Sequence, residues 1–266
     1  MKKLHFIYKM KLTFDPPVYR HRFTLKCTPR TDARQEILEL EEEIYPKEFL
    51  SEDEDSFGNL CVFGYAAGPH DCFSARIEGV ARTGLSPAVP AGPEHMVGMY
   101  RYQTDSTRPG PSICSFAGTF HFKSGATALD KAYAFMDGLY GRFSYVQGVT
   151  GVSTTAEQAL ALGEGVCQDY SHILLSLCRM ERIPCRYVVG MLEGEGLSHA
   201  WVEIYHDGGW VALDPTNHCP VGDQHIKISS GRDYRDCLIN QGLFTGRSAQ
   251  RQEISVAVNE LQEEKW

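Results

Sequence analysis

The sequence has no excess of positive charge, since 26 Lys and Arg stand against 34 Asp and Glu and the formal net charge is −8. The isoelectric point is near 5.7. Phosphate contacts need clustered Lys and Arg, so this balance argues against a nucleic-acid-binding protein. No Lys/Arg-rich run or basic amphipathic helix occurs, and binding to an anionic membrane surface is therefore not expected.

Long apolar runs are also missing. No stretch approaches the roughly 18 apolar residues that a transmembrane helix needs. Lys2 and Lys3 open the chain, but His and Lys residues interrupt the segment 4–12 that follows, unlike the apolar core of a signal peptide. These features predict a cytoplasmic protein.

Paired cysteines of the CxxC type are absent, although the chain has nine Cys. An odd number at irregular spacing predicts neither a zinc site nor a thioredoxin-like redox site, and no metal or other cofactor is expected. In a reducing cytosol such residues are free thiols that behave as small buried hydrophobes. A functional role for one of them therefore requires specific local chemistry.

The first hundred residues alternate loosely between apolar and polar side chains, which is typical of half-buried strands. Strands are predicted at residues 3–10, 19–27, 37–44 and 73–80. Turn signals lie at Asp15-Pro16-Pro17 and at residues 55–59. The acidic segment 36–55 is interpreted as a solvated strand face and hairpin tip. Together these signals predict an all-β, sandwich- or barrel-like domain over residues 1–105.

After a Pro- and Gly-rich connection at residues 83–111, the periodicity changes. A helix is predicted at 128–143, a short helix through Leu162 opened by a capping box of Thr154 and Glu157, and a long helix at 168–182. Strands are predicted at 185–192, 199–206, 210–213 and, in the tail, 253–258. Helices followed by an antiparallel meander indicate an α+β domain over residues 106–266.

Cys167 stands out among the cysteines because it follows Gly163-Glu164-Gly165-Val166 and opens the long helix. Unpaired N–H groups and the positive end of the helix dipole favour a thiolate at such a position. The same N–H groups are suited to stabilising an oxyanion. Gly165 allows a substrate to approach the backbone closely. These properties predict a nucleophile, whereas Cys178 on the buried face of the helix is interpreted as structural.

A thiolate nucleophile needs an imidazole partner, and His199 begins a predicted strand. The next strand ends at Asp214. If the two strands pair as a hairpin around Asp207-Gly208-Gly209, the start of one lies beside the end of the other. His199 and Asp214 then become neighbours, and the carboxylate orients the imidazole and favours its charged form. Trp201 shares the strand face of His199 and is a candidate substrate contact, together with Gly165 and Gln168.

Two competing interpretations are less well supported by the sequence. His172 is closer in sequence, but five residues along a helix place it about 140° from Cys167 around the axis. A metal site formed by Cys167, His206, His218 and Cys219 is disfavoured because the spacing of these residues matches no common zinc pattern.

Three segments resemble the sequence blocks of the bacterial transglutaminase-like family. They are Gly165-Val166-Cys167-Gln168-Asp169-Tyr170-Ser171-His172, His199-Ala200-Trp201-Val202-Glu203 and Trp210-Val211-Ala212-Leu213-Asp214-Pro215-Thr216-Asn217. Residues 183–190, 225–227 and 231–236 resemble further blocks of that family. Residues 14–18 and 55–59 resemble the amino-terminal β domain that often accompanies it.

The resemblance implies a papain-like fold in which a catalytic helix packs on an antiparallel sheet. It also implies Cys167 as nucleophile, His199 as base and acid, and Asp214 as the residue that orients His199. The expected reaction is acyl transfer from a peptide or amide bond through a thioester, most simply hydrolysis. Transglutamination of an amine, a non-catalytic binding protein on the same fold and a metal-dependent hydrolase remain alternatives. The expected partner is a peptide or protein substrate, and the sequence does not predict the oligomeric state.

Overall fold

The computed structural model describes residues 1–92 and 94–262. Its strands are β1 (Lys2–Leu25), β2 (Gln35–Tyr45), β3 (Phe49–Glu54), β4 (Leu60–Ala66), β5 (His70–Thr83), β6 (Ala88–Pro90), β7 (Ser144–Tyr145), β8 (Glu164–Gly165), β9 (Cys185–Leu192), β10 (Gly194–Gly196), β11 (His199–His206), β12 (Gly209–Asp214), β13 (Cys219–Pro220), β14 (His225–Gly231), β15 (Asn240–Thr245) and β16 (Ala249–Glu260). Its α-helices are α1 (Glu94–Gly98), α2 (Pro111–Ala117), α3 (Ala128–Tyr140), α4 (Ala156–Leu162) and α5 (Cys167–Met180). This is the predicted α+β class, with antiparallel sheets predominating.

The amino-terminal sheets are built around the long strand β1. Every second residue from Leu4 to Phe14 is buried, as a period of two requires. β1 pairs with β5, and β5 in turn with the acidic strand β2. Beyond Thr13 the register shifts, and from residue 19 onward β1 pairs with β4 and β15. The predicted all-β region is confirmed.

The predicted break at Asp15-Pro16-Pro17 is only partly correct. The chain stays extended through both prolines, and residues 2–25 form one strand rather than two. Proline lacks the N–H that a ladder requires but is compatible with an extended backbone, so the segment interrupts pairing without ending the strand. The change of partner at this point lets one strand serve two parts of the sheet.

The second half places helix α5 at its centre. Residues 169–179 are all buried, because α3 and α4 cover one side of the helix while β9 and β11 cover the other. The sequence predicts one buried face for this helix, whereas the structure buries every side of it over these residues. The capping box of α4 also lies one residue later than predicted, at Thr155 and Gln158. Glu157 instead accepts hydrogen bonds from N–H groups at the start of α2.

The sheet on which α5 packs has the order β13-β12-β11-β9-β14. Ala200, Val202 and Ile204 face α5 in the main core, whereas Trp201 belongs to a separate cluster on the opposite face. The Pro- and Gly-rich connection is more structured than predicted, because it contains β6, which pairs with β12.

The carboxyl-terminal strand does not extend this sheet. β16 pairs with β1 over twelve positions, from Leu4↔Glu260 to Asp15↔Ala249. Its alternating Ile254, Val256 and Val258 fit the apolar face of β1, whereas the sequence alone placed this strand with the second domain. The domain boundary near residue 105 remains a prediction. Among the described helices, none has the length and apolar character needed to cross a membrane.

Strand β9 passes so close to Trp201 that only glycine fits at position 190. A Cβ on Gly190 would lie 2.2 Å from the Trp201 ring and 2.3 Å from the Ile226 carbonyl oxygen. Gly190→Ala should therefore lower the free energy of unfolding by about 1–3 kcal/mol through overpacking. Gly196→Ala, at a position with open space around it, is the matched control. Urea unfolding of both variants checks this, and equal stabilities would contradict the packing described.

Candidate active site

The turn before Cys167 is held from two sides. Gly163 ends α4 at a φ of 80°, a left-handed conformation that glycine adopts readily. The Asp169 carboxylate accepts hydrogen bonds from the Val166 N–H at 2.8 Å and the Thr150 hydroxyl at 2.6 Å. Burial raises the pKa of Asp169, while these two hydrogen bonds act in the opposite direction. The half-buried Cys167 is thereby placed at the first residue of a rigid helix.

The predicted hairpin brings His199 to Asp214. β11 and β12 pair from His206↔Gly209 to Val202↔Leu213. Asp207 and Gly208 in the turn have φ values of 46° and 82°, as in the primed turns typical of two-residue hairpins. The register places the start of β11 beside the end of β12. His199 Nε2 lies 2.7 Å from Asp214 Oδ2.

Asp214 is completely buried and accepts five hydrogen bonds. Its Oδ1 accepts from the N–H groups of Thr216 at 3.0 Å and Asn217 at 3.1 Å. Its Oδ2 faces the Nε2 atoms of His199 and His225 and accepts from Asn217 Nδ2 at 2.8 Å. Burial alone would raise the pKa of Asp214, but these donors, led by His199 and His225, hold it far below its usual value. The residue is therefore a buried carboxylate anion.

The pKa of the His199 imidazole is shifted in the opposite direction. Burial alone would lower its pKa, but hydrogen bonds to Asp214 and to the Cys167 side chain raise the pKa of His199 to about 10. Since Nε2 is engaged by Asp214, Nδ1 is the ring nitrogen left for Cys167. The structure thus brings the three predicted residues into one chain of contacts, in the order Cys167, His199, Asp214.

Two family models match this chain. A model of the transglutaminase-like superfamily matches residues 119–215, the segment that contains all three residues. A model of the bacterial transglutaminase-like N-terminal region matches residues 4–82. The chain belongs to the transglutaminase-like superfamily.

Among curated relatives, an uncharacterized protein of Mycobacterium leprae is 37% identical over 130 residues, which are 45% of this chain and 46% of that protein. One from Mycobacterium tuberculosis is 31% identical over 122 residues, which are 40% of this chain and 39% of its own length. The chain therefore matches less than half the length of either relative.

A solved structure, titled a "putative cysteine protease" from Cytophaga hutchinsonii, aligns with a TM-score of 0.77. The alignment covers 100% of this chain and 92% of that one at 19% sequence identity. At this identity the likeness shows a shared fold. It extends over both halves of the transglutaminase-like chain, including the amino-terminal strands.

The candidate substrate contacts occupy different environments. Trp201 is only 1% exposed and packs behind the site, with its ring 6.2 Å from that of His199. We therefore interpret Trp201 as a support for His199. Gly165 is buried in β8, where a Cβ would lie 2.5 Å from Asp169 Oδ2. Gln168 is half-buried and donates to the Val152 carbonyl oxygen. Substrate binding by these residues remains a prediction.

The side chains of the competing interpretations lie apart. His172 Nε2 accepts from the Tyr234 N–H, as expected for a residue on another face of α5. His206 contacts Asp207, and His218 contacts Asp137. Within the described part of the chain, the group that could hold a metal is a different one, formed by His199, Asp214 and His225 with ligand atoms within 4.8 Å of one another. We interpret this group as two imidazoles that donate to one carboxylate.

His225 is the site residue that sequence reasoning missed. Its Nε2 lies 3.1 Å from Asp214 Oδ2. In the sequence, His225 belongs only to the segment His225-Ile226-Lys227, which resembles a family block. Nothing in the spacing shows that a residue at the start of β14 meets the end of β12, because β11 and β9 separate these strands in the sheet.

Replacing Asp214 should reveal its effect on His199. A raised pKa stabilises the fold fully below about pH 6.5, the ordinary value for histidine, and this contribution is lost as the pH rises through about 10. Asp214→Asn should lower the pKa of His199 and reduce the loss of stability over that range. Ring titration by NMR and urea unfolding at both ends of the range measure this.

Asp137→Asn, which removes the carboxylate from the more exposed His218 pair, is the control and should leave the titration of His199 unchanged. A wild-type His199 that titrates near its ordinary value would contradict the geometry.

Proposed function

We propose that this protein is a cysteine-dependent enzyme that transfers the acyl group of a peptide or amide bond through a thioester. The observation that carries the proposal is the position of His199, which contacts the buried Asp214 carboxylate through Nε2 and is also hydrogen-bonded to the Cys167 side chain. An imidazole held in this way stabilises a thiolate as the imidazolium and later donates a proton.

The reaction follows from these contacts. The Cys167 thiolate attacks the amide carbonyl carbon, and the resulting oxyanion is stabilised by N–H groups at the start of α5, which have no intrahelical acceptor. The His199 imidazolium gives its proton to the departing amine, leaving a thioester on Cys167. An incoming water or amine then loses a proton to His199 as it attacks the thioester, and the thiolate–imidazolium pair is restored.

We infer that water is the acceptor, so that the enzyme is a peptidase or amidase. For small bacterial-type members, analogy with the family favours hydrolysis over transfer to an amine. The solved structure with the same fold is likewise described as a "putative cysteine protease". Chemistry at the triad is the same for water and for an amine, so the products distinguish them. A peptide or protein is the proposed substrate.

The nucleophile assignment predicts selective labelling of Cys167. At low iodoacetamide concentration, peptide mapping should find Cys167 modified first, because the neighbouring imidazolium stabilises its thiolate. Cys167→Ala should abolish this rapid phase. Cys114→Ala, which removes an exposed cysteine in α2, is the matched control and should retain it. A rapid phase that persists in Cys167→Ala would refute the assignment.

The reaction type is tested with a peptide library incubated with and without a primary amine and analysed by mass spectrometry. Hydrolysis should give cleaved or deamidated peptides whose yield does not depend on the amine, whereas a transglutaminase should give amine adducts. Cys167→Ala should give neither. A wild-type protein that yields no product although Cys167 labels rapidly would favour a binding protein on this fold.

A further inference from the structure

The Asp214 carboxylate is held from two directions. On its own side, the turn after β12 provides the N–H groups of Thr216 and Asn217 and the Asn217 amide. From the other direction comes His225, the first residue of β14, with Nε2 at 3.1 Å from Oδ2. In the sheet, β11 and β9 lie between β12 and β14. The contact between Asp214 and His225 therefore connects β12 and β14 across the two strands between them, one of which carries His199.

The His225 ring is itself firmly held. Its side chain is 4% exposed, and the ring packs edge-on against Trp201 at 5.3 Å between centroids. Trp201 also lies against His199. Asp214 and Trp201 thus each contact both imidazoles, and a displacement of His225 would be transmitted to His199 through both.

The ionised Asp214 carboxylate determines which nitrogen of His225 is the hydrogen-bond donor. Oδ2 of an ionised carboxylate only accepts hydrogen bonds, so Nε2 of His225 must carry the proton. Nδ1 is buried and has no hydrogen-bond partner among the described residues. His225 and Trp201 line a cavity of about 10 Å³, which Arg34, Glu203 and Lys227 help to close. This volume is close to the minimum for one water, which would donate to His225 Nδ1 and accept from Trp201 Nε1.

We propose that His225 is a positioning residue for the active site, which donates from Nε2 to Asp214 and thereby fixes the carboxylate that orients His199. The proposal rests on the function proposed above, because the residue acts through the Cys167–His199 pair. It adds a second imidazole to the triad and links the site to the cavity beside the amino-terminal segment around Arg34.

Two variants of nearly equal size separate hydrogen bonding from packing. His225→Gln places an amide N–H close to the position of imidazole Nε2, whereas His225→Met has a similar length and no donor. Hydrogen bonds to charged groups are strong enough that their loss slows a dependent step roughly tenfold or more. The rate constant of Cys167 alkylation by iodoacetamide should therefore fall at least about tenfold in His225→Met and remain within about threefold of wild type in His225→Gln.

His172→Met provides a matched control, because it replaces another fully buried imidazole that does not touch Asp214. This variant should lose thermal stability without slowing the alkylation of Cys167. Equal rates in the Gln and Met variants of His225, whether fast or slow, would overturn the proposal, since packing alone would then explain the residue. In that case rapid alkylation of wild-type Cys167 would leave the proposed function standing. Absence of that rapid phase in the wild type would refute the proposed function instead.

If the His225→Met variant does not fold, a measurement on the wild-type protein tests the proposal instead. Long-range ¹H–¹⁵N NMR correlations identify which ring nitrogen of a histidine carries the proton. The proposal requires a proton on Nε2 of both His199 and His225. A His225 ring protonated on Nδ1 alone would overturn it.

Discussion

A carboxylate without solvent exposure is the constraint on which this site depends. A buried charge is costly unless donors surround it, and Asp214 meets that requirement with five hydrogen bonds. Three of them come from its own turn, one from β11 and one from β14. The anion is therefore stable only when the whole sheet is assembled, which couples the charge state of the site to the integrity of the fold.

The position of Cys167 also depends on the packing around the helix that it begins. α5 is buried along residues 169–179 and packs against β11, which carries His199. The Asp169 carboxylate replaces a capping side chain, since the N-cap residue is Val166. Cys167 and the His199 imidazole meet at the end of the sheet, each placed there by a buried element.

The two halves of the chain are interlocked by exchanged strands and by paired hydrogen bonds. β6 joins the second sheet and β16 joins the first. The Gln35 amide exchanges hydrogen bonds with the backbone of Lys227 in β14, and Asn59 does the same with Ser230. These contacts hold β14 against the amino-terminal strands, and β14 is the strand that carries His225. The amino-terminal region therefore supports the site without providing any of the three predicted catalytic side chains.

Local sequence signals account for the strands and site residues that could be predicted. Apolar alternation specified β9, β11, β12 and much of β1, and the Asp207-Gly208 turn specified the register that joins His199 to Asp214. The glycines before Cys167 and its place at a helix start nominated the nucleophile. These features depend on neighbours within about twenty residues, so their physics is contained in the sequence.

Tertiary structure alone decided the remaining features. β16 pairs with β1, which is more than 200 residues away in sequence. The apolar pattern of β16 alone does not specify which sheet the strand joins. The burial of α5 on all sides depends on α3 and α4 packing over it, and the contact of His225 with Asp214 depends on two intervening strands. The sequence by itself identified Cys167 and His199 as a candidate nucleophile and base. Only the assembled sheet decided how many donors reach the buried Asp214 carboxylate beside His199, because hydrogen bonds between distant strands have no local signature.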